Sequence, residues 1–493
     1  MDAHKQHGVD VTAQSPRAFP QLPDTIHTIH IIGICGTGMG SLAAMLKARG
    51  YDVRGSDAMA YPPMSDWLRD QGIEIMLGYD QANLDWNPDL VIVGNVVRKD
   101  YADAVAMRDR GFTYMSFPEA LRHFFMSDTR NLVITGTHGK TTTTSMVAWC
   151  LTQAKMDPSF MVGGITGNFG SNYRLGEGDA FVVEGDEYDT AYFDKVPKFW
   201  HYAPFRATIN NLEYDHADIY PDIASVEHVF KRLVDLIPAD GTLWVNGDDA
   251  RALKVSAHAT CERKLFGFGP HNNLRASSPE YGEFSSAKVT LDGVDLGTFS
   301  LPAMGEFNLR NMLGALAICL DEGADLEVLR DAFSTFKATR KRQELVGTIN
   351  EIMVFDDFAH HPTAVEATMK AMRERFPDQR IWAIFEAKSN TSRRRVFQHD
   401  YPRGFALADH VIISKPWKKD DGLKDDELLD IDELVHDIQK LGPTTELIED
   451  VDDIVTKVVA AAQPGDVIVG LSGSNFSGLH GKLVAALKLR FDK

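Results

Sequence analysis

The 493-residue sequence predicts an α/β protein of three domains, each built on a mostly parallel sheet. Two observations carry that prediction. An apolar strand, a glycine-bearing turn and a helical stretch recur in that order, which is the pattern of parallel strands joined by crossover helices. The pattern restarts at His27, at Asn131 and at Ile352. The length, at roughly 150 residues per domain, calls for about three cores, and 44% hydrophobic with 25% charged residues is an ordinary globular mix able to fill them. The restarts set the expected domains at 1–128, 129–346 and 347–493.

In the first domain, residues 27–35 (HTIHIIGIC) read as a buried strand and residues 41–49 as a helix. Between them Gly36, Thr37, Gly38, Met39 and Gly40 form a tight turn. A glycine turn that opens a helix presents backbone N–H groups to phosphate. Gly36, Thr37, Gly38 and Met39 are therefore candidate contacts for a nucleotide diphosphate. A second strand ends at Ser56 and Asp57, and Asp57 stands about where a ribose-binding acid would. Ser41 takes the place of the third glycine in the dinucleotide pattern, so a nicotinamide dehydrogenase would rest on this loop alone. A third strand covers residues 90–93, and the domain reads as Rossmann-like.

The second domain carries the sharpest signal. A strand at residues 131–135 feeds Gly136, Thr137, His138, Gly139, Lys140, Thr141 and Thr142, and an apolar helix follows to Leu151. Backbone N–H groups of such a loop cradle phosphates, a lysine reaches the terminal ones, and a hydroxyl reaches Mg²⁺. Two residues separate the glycines rather than four, so the domain is a P-loop-type variant. The run VVEGDE at 182–187 ends a strand in acids, of which Glu184 is the first and faces the loop. The run TINNLEYDHAD at 208–218 again ends a short strand in polar groups; His216, with Asp215 and Asp218, could ligate or position a divalent cation. Residues 261–301 alternate and are rich in Gly and Ser, as a β-rich insertion or sheet edge would be. FNLRNM at 307–312 opens an apolar helix, and Arg340, Lys341 and Arg342 precede the third restart. Cations at an interdomain hinge suit phosphates or a developing anion.

The third domain begins with a strand at 352–355, then DDFAHHP at 356–362, then a helix from Thr363 to about Phe376. Further strands fall at 381–385, 410–414 and 467–471, giving a second Rossmann-like α/β unit. The doublet His360 and His361 before Pro362 reads either as a turn or as part of a site.

A net charge of −19 argues against nucleic acid and against anionic membrane surfaces as partners. Cys35, Cys150, Cys261 and Cys319 lie far apart with no CxxC pair, which argues against a disulfide scaffold or a zinc site. No apolar run approaches the ~20 residues of a membrane span, and residues 1–24 are polar with no signal-peptide pattern, so a cytoplasmic protein is expected.

Four blocks in order, GTHGKTTTT at 136–144, NNLEYDHAD at 210–218, FNLRN at 307–311 and DDFAHHPT at 356–363, resemble those of the Mur ligase family, the ATP-dependent amide-forming enzymes of peptidoglycan assembly. The resemblance runs from about residue 25 to the final helix. Within the family, EGDEYDTAYFDKVPKF at 184–199, YPPMS at 61–65 and FEAKSNT at 385–391 resemble the member that joins the tripeptide L-alanyl-γ-D-glutamyl-meso-diaminopimelate to UDP-N-acetylmuramate in peptidoglycan recycling. The alternative is the member that adds free L-alanine.

The resemblance implies ATP and Mg²⁺ as cofactors and an acyl-phosphate intermediate. It implies catalytic roles for Lys140, Glu184, His216 and Arg342, with Thr141, Glu184 and His216 around metal. It puts ATP on residues 136–142 with Asn308, Asn311, Arg342 and Asp357. It puts the UDP-sugar on Gly36, Thr37, Gly38, Met39, Asp57, Asn95 and Asn168, and the peptide on His360, Lys388, Ser389, Asn390 and Thr391. Several members carry a carbamylated lysine after the DHxD block; the nearest candidate is Lys231, one residue from the other possibility, Phe230, and no such lysine is expected here. A monomer or weak homodimer is expected.

Overall fold

A computed structural model describes residues 8–10, 12–60, 62, 64–415 and 423–491. Tyr61 and Pro63 of the YPPMS block lie outside the described residues. Three sheets follow one another along the chain, and the expected α/β class stands.

The first sheet holds β1 (Thr28–Ile32), β2 (Asp52–Asp57), β3 (Glu74–Leu77), β4 (Leu90–Val93) and β5 (Tyr114–Ser116), all parallel, in the order β3-β2-β1-β4-β5. β4 is a buried run of branched aliphatics and β1 is buried from Ile29 to Ile32, with His30 its one polar member, as suits parallel strands covered on both faces. β3 and β5 escaped the sequence reading because they are edge strands of only four and three residues, too short for a periodic pattern.

The central sheet contains β6 (Arg130–Thr135), β7 (Ser159–Met161), β8 (Tyr173–Arg174), β9 (Ala180–Glu184), β12 (Arg206–Ile209), β13 (Thr242–Asn246), β14 (Glu262–Gly267), β15 (Leu274–Glu280), β16 (Ser285–Leu291) and β17 (Val294–Leu301). A separate hairpin, β10 (Asp189–Ala191) with β11 (Asp194–Pro197), stands apart from it. The sheet order is β17-β16-β15-β14-β13-β12-β6-β9-β7-β8. Pairing is parallel from β15 to β7 and antiparallel only at the two ends. The β-rich stretch expected at 261–301 is one antiparallel edge of this sheet. Beyond β6 the strand order reverses, and a crevice at the carboxyl ends of strands on either side of such a switch point is where open α/β sheets hold ligands.

The third sheet runs β18-β19-β23-β20-β21-β22, from β18 (Glu344–Ile349), β19 (Ile352–Asp357), β20 (Ile381–Glu386), β21 (His410–Ser414), β22 (Thr444–Ile448) and β23 (Val467–Ser472). Only β18 is antiparallel.

One apolar cluster joins the first two sheets, from Leu42, Leu46 and Leu121 through Val133 to Phe199 and Phe230. On the opposite face of the central sheet, the helices Lys140–Gln153 and Glu306–Asp321 share a core through Met146, Leu151, Leu309 and Leu313. The third sheet buries its two faces separately. The chain enters it through Lys341 and Gln343, both in the left-handed region at φ 59° and 51°.

Candidate active site

β6 ends at Thr135, and the loop 136–139 turns the chain into the helix Lys140–Gln153. Two glycines make that turn possible. Gly136 sits at φ 127°, and Gly139 caps the helix at φ 82°, where a Cβ would run into Asn311 Oδ1. Asn211 holds the loop from β12's end, accepting the His138 N–H at 2.7 Å and donating to the His138 carbonyl at 3.1 Å.

Lys140 is nearly buried. Its Nζ donates to the carbonyls of Gly136 (2.8 Å) and Thr137 (3.1 Å) and pairs with Glu187 at 2.9 Å. Burial opposes the ammonium, but Glu187, Asp186 and Glu184 outweigh it and hold Lys140 above the ordinary lysine range. Glu184 ends β9 and accepts from the Thr141 hydroxyl (3.0 Å) and the Gly163 N–H (2.8 Å). Burial pushes its carboxyl up. As the sequence anticipates, Glu184 faces the loop.

His216 stands on the other side of Lys140. Its Nε2 meets Glu187 Oε1 at 3.0 Å, and its backbone N–H donates to Asp215 (2.6 Å) and Thr391 Oγ1 (3.0 Å). Burial opposes a charged ring, yet Asp215 and Glu187 raise His216 to about 9. In this arrangement His216 is an imidazolium, and Nε2 donates to Glu187 rather than offering a lone pair.

The helix Glu306–Asp321, the hinge and the first strand of the third domain close the far side. Arg342 stacks over Phe358 at 4.7 Å and reaches the Thr141 hydroxyl at 3.5 Å. Asp357 accepts the N–H groups of Gln343 and Ala359, each at 2.8 Å, so it shapes the entry strand. Asn308 bridges the Met304 carbonyl (2.9 Å) and Gln343 Oε1 (3.1 Å), and Asn311 donates to Asn308 Oδ1 at 3.4 Å. Together these groups line a cavity of about 610 Å³, which includes residues 137–142, Glu184, His216, Asn308, Asn311, Arg342, Asp357 and His360.

The other expected residues lie elsewhere. Gly36 caps the helix Thr37–Ala48, and Asp57 accepts the Cys35 N–H at 2.8 Å, so Asp57 braces the first glycine turn. Gly36 to Met39, Asp57 and Asn95 gather at the carboxyl ends of β1, β2 and β4, and none lines the 610 Å³ cavity. Asn168 is also outside it: its amide donates to the Thr335 carbonyl (3.1 Å) and accepts the Lys337 N–H (2.7 Å). Of the loop after β20, Asn390 donates to Asp218 at 2.7 Å, Thr391 meets His216, Ser389 bonds Ser392 at 2.8 Å, and Lys388 lies 3.7 Å from Glu386. Lys231 is exposed and Phe230 is buried, so neither stands in the cavity.

Sequence reasoning did not single out Glu187, Asp186, Asn211 or Glu213 as site residues, and it left His361 open between a turn and a site. Glu187 bridges Lys140 and His216; the signal was the density of acids in EGDE after an apolar strand, of which only the first was weighed.

A reversing parallel sheet, a glycine loop opening a helix at its switch point, and acids converging on the loop lysine define a phosphate-binding α/β class. The comparisons narrow it. The Mur ligase family catalytic domain matches residues 28–128, the Mur ligase middle domain residues 134–319, and the Mur ligase, glutamate ligase domain residues 341–474. The UDP-N-acetylmuramate–L-alanyl-γ-D-glutamyl-meso-2,6-diaminoheptandioate ligase of Escherichia coli K12 is 38% identical over 465 residues, covering 93% of this chain and 98% of its own. The UDP-N-acetylmuramate–L-alanine ligase of Clostridium acetobutylicum is 32% identical, with 92% and 96% covered. The crystal structure of a murein peptide ligase from Psychrobacter arcticus superposes with a TM-score of 0.69 at 33% identity, covering 94% and 98%. The chain belongs to the Mur ligase family.

Proposed function

We propose that this chain joins the tripeptide L-alanyl-γ-D-glutamyl-meso-diaminopimelate to UDP-N-acetylmuramate at the expense of ATP, as a ligase of peptidoglycan recycling. The observation that carries the reading is the convergence of Lys140, Thr141, Glu184 and Arg342 on one cavity between the central sheet and the third domain. A carboxylate oxygen is a poor leaving group, so amide formation needs the acid activated, here as an acyl phosphate. Lys140 would exchange the Gly136 and Thr137 carbonyls for phosphate oxygens, staying cationic through Glu187 and Asp186. Arg342 would bring the charge of the interdomain hinge to the same phosphates. The amine of the peptide's alanine then displaces phosphate.

The donor set fits magnesium on one side: the Thr141 hydroxyl and the Glu184 carboxylate are oxygen ligands, which a hard cation takes. His216 would join only after giving up the proton it shares with Glu187. When bound, Mg²⁺ would neutralise charge on the phosphate oxygens. The turn at 36–39 with Asp57 and Asn95 would take the uridine nucleotide, with Asn168 assigned to the sugar by resemblance. His360 and residues 388–391, seated against His216 and Asp218, would face the peptide. The domain limits 1–128, 129–346 and 347–493, a cytoplasmic location, and a monomer or weak homodimer belong to the same proposal.

The deciding experiment measures ATP consumption with UDP-N-acetylmuramate, comparing the tripeptide with free L-alanine. Preference for the tripeptide is expected. Preference for free alanine would move the assignment to the alanine-adding reading, which the 32% identity to such a ligase keeps in view.

A further inference from the structure

Three side chains cluster at the cavity's edge, and their ring nitrogens and carboxylate have no step in the phosphoryl transfer. His138 comes from the glycine loop, Glu213 from the segment after β12, and His361 from the turn before the helix Pro362–Arg375 of the third domain. His138 Nε2 lies 3.2 Å from Glu213 Oε2, and His361 Nδ1 lies 3.6 Å from the same oxygen. All three donor atoms fall within 4.8 Å of one another. A tetrahedral ion with bonds of about 2.0–2.1 Å sets its ligands roughly 3.3–3.4 Å apart. Both contacts to Glu213 bracket that spacing, and only the two rings must close further.

The chemistry of the donors agrees with the geometry. Two imidazoles and one carboxylate suit zinc, cobalt or nickel, and they do not suit magnesium, which takes oxygen. His361 Nε2 donates to the Tyr214 carbonyl at 3.1 Å, which fixes the tautomer and leaves the Nδ1 lone pair on the Glu213 side. That lone pair now accepts only a long bond, 3.3 Å, from the Thr363 N–H. His138 Nε2, which donates to the Glu213 carboxylate in this arrangement, would give up that proton to the solvent on ligation. All three residues line the 610 Å³ cavity, so a fourth position opens into it.

We propose that His138, Glu213 and His361 form a binding site for a zinc-type transition-metal dication, which ties the glycine loop to the third domain. The site is distinct from Thr141 and Glu184 and uses no cysteine. Filling it fastens His138 across the domain seam, so the bound ion restrains the loop that must admit nucleotide.

The test uses the full chain, freed of metal with a chelator and titrated with Co²⁺ and then Zn²⁺. Co²⁺ is expected to give the intense visible absorption of a tetrahedral site at one equivalent per chain, displaced by one equivalent of Zn²⁺. Glu213→Gln and His361→Gln should each weaken Co²⁺ binding at least tenfold. His138→Gln, at a more exposed position, supplies a third variant should either of the others fail to fold, as judged by circular dichroism. Absence of the tetrahedral band, or a band whose affinity all folded variants retain, overturns the site. No ligase turnover enters this readout, so its failure and the failure of the proposed reaction are separately visible.

Discussion

Lys140→Ala is the perturbation whose consequences the structure fixes most closely, because the lysine has two jobs. It neutralises Glu187, a carboxylate whose side chain is only 2% exposed. Removing one member of a buried pair costs about 3–5 kcal/mol, since the remaining charge is left without its partner. Here His216 stays at 3.0 Å on the same carboxylate, which brings the expected loss to the lower end of that range, about 3 kcal/mol. Glu187→Gln removes the charge instead, and Lys140→Ala in that background should cost far less. The coupling between the two substitutions is therefore expected at about 1–3 kcal/mol. Urea unfolding of the parent, the two single variants and the double variant, without nucleotide, measures it. Turnover is read separately: a lost phosphate contact of the transition state should lower kcat at least about 100-fold, and the double variant should not recover it. Additive stability effects, or a Lys140→Ala enzyme of normal kcat, would refute the reasoning.

Three further outcomes are expected. Gly139→Ala forces a left-handed alanine, worth about 1–2 kcal/mol, and drives its Cβ into Asn311; nucleotide affinity by calorimetry should fall at least tenfold with the fold retained. His30 on β1 accepts from Trp86 Nε1 at 3.3 Å and bonds Ser56 Oγ at 3.0 Å, and burial, with Arg54 beside it, holds the ring neutral down to about 3. Its folded value lies below the ordinary 6.5, so its contribution is complete above about pH 6.5 and drains away as pH falls towards 3, at up to about 1.4 kcal/mol per pH unit; urea unfolding from pH 7 to 4.5 should weaken less steeply in His30→Gln, and an identical slope would contradict this. Glu322, 1% exposed, receives Arg206 at 2.6 Å and Arg130 at 2.9 Å at the bases of β12 and β6, so Glu322→Ala should lower stability by about 2–4 kcal/mol in thermal or urea unfolding.

The glycine loop was readable because its chemistry is local: a buried strand, two glycines, Lys-Thr and a helix are contiguous, and backbone geometry follows from them. Glu184 was readable because it is the residue at which an apolar strand stops. Glu187 was not, since its importance comes from folding back between Lys140 and His216, residues 47 and 29 positions away. Asp57 carries a contact that its spacing did not show: its carboxylate caps its own glycine turn through Cys35. Asn168 is spent on residues 167 and 169 positions away, which no window of sequence could reveal. The edge strands β3 and β5 were hidden because four and three residues are too few to show a pattern.

The continuous core between the first and second sheets has a mechanical meaning. Leu46, Leu121, Val133 and Phe199 belong to a single oily mass, so the two leading sheets must travel as one lever. Asn168 rivets the chain at Thr335 and Lys337, and just past that rivet come the left-handed Lys341 and Gln343. The joint of the molecule thus falls on either side of Arg342, and each swing of the trailing sheet would turn that guanidinium about its own backbone beside the phosphate cradle.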